Sequence, residues 1–116
     1  MISIDSFDQI YFYRPYVDFR KGINGLSAIV QDEMQLDLFG KYLFIFTNTK
    51  RNMLKALYWD KTGFALWVKQ LMEDKYKWPI KYEEEIIKVD LKKLEEFLVG
   101  FDPFQIPFNE KNYSKI

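Results

Sequence analysis

The sequence predicts an α+β domain: an antiparallel β-meander with one helix packed on a face and a second helix near the C-terminus. Three observations carry that expectation. The stretch Lys41 to Leu71 (KYLFIFTNTKRNMLKALYWDKTGFALWVKQL) reads as strand, basic turn, strand, tight turn, strand. Phe19, Ile23, Leu26, Val30 and Met34 recur at three- and four-residue steps, which places them on one face of a helix. Asp90 and Gly100 bracket a second helical pattern, as N-cap and as the residue just past its end.

Taken in order, Ile10 to Tyr13 (IYFY) is a short β-prone run that ends at Arg14-Pro15, and the proline makes an edge strand of it. Asp18 then suits the N-cap of a helix running to about Met34. Gly22 and Gly25 cost that helix propensity, so either another backbone approaches closely there or the helix start is open to a phosphate. Tyr42 to Asn48 is apolar on both faces and belongs at the centre of a sheet. In Met53 to Asp60, Leu54, Ala56 and Tyr58 share one face, and Met53, Lys55, Leu57 and Trp59 the other. Asp60-Lys61-Thr62-Gly63 suits a hairpin, with Gly63 supplying a positive φ at a bulge, and Phe64 to Leu71 reads as the third strand of the meander, though its composition would also allow a helix. In the second helix Leu91, Leu94 and Leu98 make the buried stripe, with Val89 and Leu94 placed as a hydrophobic staple. Residues 1–100 therefore make one domain. Residues 101–116 (FDPFQIPFNEKNYSKI) form a Phe/Pro-rich tail that is too apolar for a free linker, and it either docks or binds a partner.

Composition narrows the chemistry. The chain has neither cysteine nor histidine. Disulfide frameworks, thiolate zinc sites, Cys–His chemistry and serine triads are therefore excluded, and no cofactor is implied. Apolar content of 48% and 116 residues are enough for one core that needs neither disulfide nor metal. No apolar run approaches the roughly 20 residues that span a bilayer, and no signal-peptide pattern opens the chain, so a cytoplasmic protein without a membrane partner is expected. Net charge is zero, yet its distribution is uneven. From Lys41 to Lys81 nine basic residues face three acidic ones, whereas from Glu83 onward five face eight.

Two constellations point to contacts with nucleic acid. Arg20 and Lys21 stand at a predicted helix start, where basic side chains oppose the macrodipole. They read either as solvated charges or as phosphate ligands. Lys50, Arg51, Lys55 and Lys69 read either as a solvated bend and strand or as a basic β surface, interleaved with Trp59 and Trp67. Asp18, Asp60 and Asp90 could in principle hold metal ions for a carboxylate-dependent nuclease, but each is already explained as a cap or turn residue, and no metal site is expected.

Read together, DFRKGINGL (Asp18 to Leu26), GKYLFIF (Gly40 to Phe46) and the run from Lys50 to Leu71, with Trp78-Pro79 beyond it, resemble one known family. It is the small TnpB accessory protein of the insertion-sequence-66 class of bacterial transposable elements. The resemblance covers Ile10 to Pro79, roughly 60% of the chain. It implies a non-catalytic protein, not an enzyme, that works in transposition beside a separate, element-encoded transposase. Its segment matching Phe46 to Lys55 is poorer in arginine than the family pattern, and Asn52 stands where an aspartate is common. With this resemblance, Arg20, Lys21, Lys50, Arg51, Lys55 and Lys69 are the candidate contacts to DNA phosphates. Trp59, Trp67, Phe101, Phe104 and Phe108 are the candidate partner-binding residues. The alternative is a protein–protein adaptor with no DNA contact. No small-molecule substrate is expected.

Overall fold

Continuous apolar runs in the first half of the chain, IYFY and YLFIF, produce strands that are buried on both sides, and these set the architecture. The structure, a computed structural model, describes residues 4–104. Its strands are β1 (Gln9–Tyr13), β2 (Tyr42–Thr47), β3 (Met53–Asp60), β4 (Gly63–Gln70) and β5 (Ile86–Val89). They form one sheet in the order β4-β3-β2-β1-β5. All neighbours are antiparallel except β1 and β2, which run parallel. The connection between those two carries α1 (Ile23–Ala28), which continues into a single wide π-helical turn (Ile29–Met34). Helix α2 (Leu91–Leu98) follows β5.

Each face of the sheet has its own core. On one, Leu26, Val30 and Met34 of the first helix meet Tyr11, Tyr13, Phe44, Phe46 and Leu57. On the other, Leu94 and Phe97 of α2 meet Ile10, Phe12, Leu43, Ile45, Leu54, Ala56 and Tyr58. The strand residues divide between the two cores by strict alternation, as the period-two pattern requires. The coil after β4 seals the second face. Tyr76 stacks on Phe97 with centroids 5.2 Å apart, and Trp78 stacks on Phe12 at 5.0 Å while its indole N–H donates to the Arg14 carbonyl at 2.8 Å. Phe104 joins the same cluster, 5.2 Å from Phe12 and 6.0 Å from Tyr82.

The α+β class, the meander and both helices stand as the sequence predicts, but four details differ. β1 is not an edge strand: it pairs with β2 on one side and β5 on the other. Pro15 lies beyond the ladder, and Arg14 N–H still reaches the Glu85 carbonyl at 2.7 Å, so no pairing position is lost to the proline. The first helix does not start at Asp18. Its N-cap is Gly22, because the Asp18 carboxylate accepts from the Arg20 N–H at 2.9 Å, and this local turn competes with helix. In the β3–β4 hairpin the positive φ falls on Lys61, at 53°, and not on Gly63. The stripe of α2 runs through Leu94 and Phe97, with Leu91 and Leu98 only half-buried. Its caps are as expected: the Asp90 carboxylate accepts from Lys93 N–H at 2.8 Å, and Gly100 takes a φ of 101°.

Phe12 is fully buried and contacts Trp78, Phe97 and Phe104. Phe12→Ala is expected to lower unfolding free energy by about 3–5 kcal/mol in urea titrations. Phe101→Ala, at a side chain 66% exposed, is expected to change it by no more than about 0.5 kcal/mol.

Candidate nucleic-acid interface

The loop from Tyr16 to Gly22 and the turn from Asn48 to Asn52 lie side by side at one end of the sheet. Val17 N–H donates to the Thr47 carbonyl at 2.9 Å, which pins the loop to the end of β2. The Asn48 side chain organises the turn. Its carbonyl oxygen accepts from the backbone N–H of Asn52 at 3.1 Å and of Met53 at 3.2 Å, and its amide donates to the Asn52 side chain at 2.7 Å. Arg51 takes a φ of 57°, and its carbonyl accepts from Tyr76 N–H at 2.7 Å. Lys50 is thereby left exposed on the turn, beside a half-buried Arg51.

Loop and turn flank an open groove of ≈ 640 Å³, lined among others by Tyr16, Asp18, Arg20, Asn48, Lys50 and Asn52. Arg20 and Lys50, thirty positions apart, thus face one opening. The Arg20 guanidinium is 91% exposed and ion-paired with Asp18 at 2.6 Å. Hydrogen bonds from that guanidinium and from the Arg20 backbone hold the Asp18 carboxyl at about 2, well below the usual carboxylate range. Such an exposed pair shapes the loop and contributes little to global stability. Lys21 is exposed next to it, with its aliphatic stem lying against Gly25. A Cβ built at Gly25 would sit 2.9 Å from Lys21 Cβ, so this glycine makes room for a side chain and not for another backbone.

Two of the six predicted phosphate ligands do other work. Lys55 Nζ donates to the carbonyls of Phe19 and Lys21, both at 2.9 Å, and lies 4.8 Å above the Phe19 ring. It straps the loop to β3. Lys69 is on the opposite face, 3.5 Å from the Leu98 carbonyl, where a cation suits the end of α2. The structure therefore gathers Arg20, Lys21, Lys50 and Arg51 at one end, turns Lys55 into the fold and places Lys69 elsewhere. Tyr16, 43% exposed in the groove, was legible only as a residue following Pro15. Lys75 lines a second hollow of ≈ 500 Å³ with Lys50, beside Glu73 and Asp74.

The predicted partner-binding aromatics also separate. Trp59 is half-buried in an edge-on cluster with Phe39 and Phe64, both at 5.0 Å and with Phe39 56% exposed. Trp67 packs half-buried against the α2-side core. Phe101 is open to solvent, whereas Phe104, 6% exposed, belongs to the core and offers no free surface. Phe108 lies outside the described residues. Among the described residues Asp18, Asp60 and Asp90 do not converge, and no group of three or more candidate ligands could hold a metal ion. No helix among them is long and apolar enough to cross a membrane.

Fold and groove together describe a small α+β domain with exposed basic side chains at one end of its sheet. The chain belongs to the IS66 Orf2-like protein family, whose match extends over residues 8–107. The match runs past Pro79 through β5, α2 and Phe104, so the family domain continues to residue 107. Membership associates the chain with transposition of insertion sequences as an accessory protein. Among curated proteins it is similar to uncharacterized protein y4jC of Sinorhizobium fredii, 36% identical over 63 residues, or 54% of each chain. It is also similar to uncharacterized protein y4hO of the same organism, 27% identical over 94 residues, or 81% of each chain. The first match thus spans about half the length of its relative. No solved structure matches the chain.

Two outcomes test this geometry. Lys55→Met keeps the stem but removes both carbonyl bonds, and is expected to cost about 1–2 kcal/mol in chemical denaturation, while Lys50→Met is near neutral. The Asp18 carboxyl, depressed below its unfolded value, favours the folded loop above about pH 4, and that preference is lost as pH falls through about 2. An NMR titration should place its midpoint near 2, shifting upward in Arg20→Gln.

Proposed function

We propose that this chain is a non-catalytic accessory protein of transposition that meets the DNA backbone through Arg20, Lys21, Lys50 and Arg51, beside a separate transposase. One observation carries the reading: Arg20 and Lys50 come from distant loops to the same groove, with side chains not consumed by the core. Their amide and aromatic neighbours, Asn48, Asn52 and Tyr16, are groups that contact phosphates, sugars or bases elsewhere. Lys55 and Lys69 serve the fold in this reading, so the interface is small. Zero net charge adds no long-range attraction, and affinity rests on this local patch.

A second reading, a protein–protein adaptor without DNA contact, is favoured by the exposed Phe101 and the half-open Phe39–Trp59–Phe64 cluster. Fluorescence anisotropy on duplex DNA separates the two. With three to four phosphates engaged, log affinity should fall against log salt with a slope of about −3 to −4. Lys50→Glu/Arg51→Glu should abolish binding, and Lys69→Ala should leave it unchanged. Binding that is absent or indifferent to salt would sink the phosphate reading. Retention of the element's own transposase by the full chain but not by its Phe101→Asp variant, at a side chain outside the core, would then support the adaptor.

A further inference from the structure

The sheet has two edges, and they are built differently. β5 is four residues long, and the chain entering it is held by the Arg14 side chain, which donates to the Glu84 carbonyl at 2.9 Å. β4 is eight residues long (GFALWVKQ), contains no proline, and ends the strand order. Natural edge strands are commonly blunted by charge, proline or brevity. Here the sole charge in the strand, Lys69, is drawn to the Leu98 carbonyl.

The ladder with β3 shows which groups are left over. Leu71 N–H donates to the Asn52 carbonyl at 2.7 Å, and pairing proceeds from there to Asp60 opposite Gly63. Bonded pairs alternate in an antiparallel ladder, so the backbone groups of 63, 65, 67 and 69 face β3. Those of Phe64, Leu66, Val68 and Gln70 face away from it. The side chains along this edge are half-buried or exposed, with Val68 at 47%.

We propose that β4 pairs with β4 of a second copy of this chain, antiparallel about a two-fold axis at Leu66, to make one continuous ten-stranded sheet. The occupant follows from the pattern of the strand itself. A two-fold at Leu66 sets Leu66 opposite Leu66, Phe64 opposite Val68 and Ala65 opposite Trp67. Every outward backbone group from Phe64 to Val68 then meets an outward group of the partner strand. On one face Phe64, Leu66 and Val68 form a continuous apolar row. On the other, the small Ala65 leaves space beside the large Trp67. Lys69 falls opposite Gly63, so the pairing sets no two like charges against each other. A two-fold contact of this kind uses the same patch on both subunits and closes on itself.

The chain has no cysteine, so single-cysteine variants report the register cleanly. Under mild oxidation the full-length Leu66→Cys protein should form a covalent dimer. Gln70→Cys should not, because the two positions would lie about 26 Å apart along the paired strands. Sedimentation equilibrium of the unmodified chain should show a concentration-dependent dimer. Val68→Pro removes only an outward N–H and should shift the chain to monomer with an unchanged far-ultraviolet spectrum; Val68→Lys should do the same by placing charge in the apolar row. A chain that is monomeric throughout, a dimer indifferent to both Val68 variants, or crosslinking of Gln70→Cys in preference to Leu66→Cys would each overturn the proposal. So would open-ended assembly.

Discussion

The fold depends on β1 being enclosed on four sides. It is only five residues long, yet it is paired along both edges and covered on both faces. Ile10 and Phe12 belong to one core, and Tyr11 and Tyr13 to the other. Burial pushes the phenols of Tyr11 and Tyr13 upward. Aromatic side chains deliver this enclosure because each buries a large area within one strand position. With few residues per strand, wide rings let a thin sheet fill two interlayer spaces, which accounts for the aromatic content of 19%.

Where the cations go is the second constraint. A basic count over Lys41 to Lys81 reads as one positive surface, but a strand presents alternate residues to opposite faces, so neighbours in the count are not neighbours in space. Lys55 shares a face with Leu57, and Lys69 shares one with Trp67. Both ammonium groups end on backbone carbonyls, and the long stems cover apolar surface on the way. A lysine inside an otherwise apolar strand pattern was itself a signal of that use. Arg20, Lys21 and Lys50 sit on loops, where the backbone leaves side chains to solvent, and Arg20 and Lys50 line the groove.

The meander was legible because β2 is an unbroken apolar run, Leu54, Ala56 and Tyr58 alternate along β3, and turn residues separate the strands. The same holds for α2, whose Asp90 and Gly100 act through local geometry alone. β5 was not legible: IIKV is four residues behind three glutamates, and it becomes a strand only because β1 offers it an edge. The central place of β1 was hidden for the related reason that its partners lie far along the chain. Asp18 shows the converse limit. Its residue type suits an N-cap, but Arg20, two residues on, competes for the same carboxylate, and the helix starts after Gly22. The groove was half legible, as charges on two segments; their adjacency required the Val17–Thr47 bond that brings the segments together.

Pairing of Ile10 with Val89 and of Tyr13 with Ile86 joins segments more than seventy positions apart. Hairpins β2–β3 and β3–β4 can close within microseconds from local contacts, whereas β1 must wait for both its neighbours. Topologies with such separated contacts fold slowly, since loop closure precedes the contacts that reward it. During synthesis, β1 leaves the ribosome first and stays without one of its edges until Val89 has emerged. Between the emergence of β1 and that of β5 the nascent chain therefore carries an open aromatic strand, an edge prone to misassociation until β5 covers it.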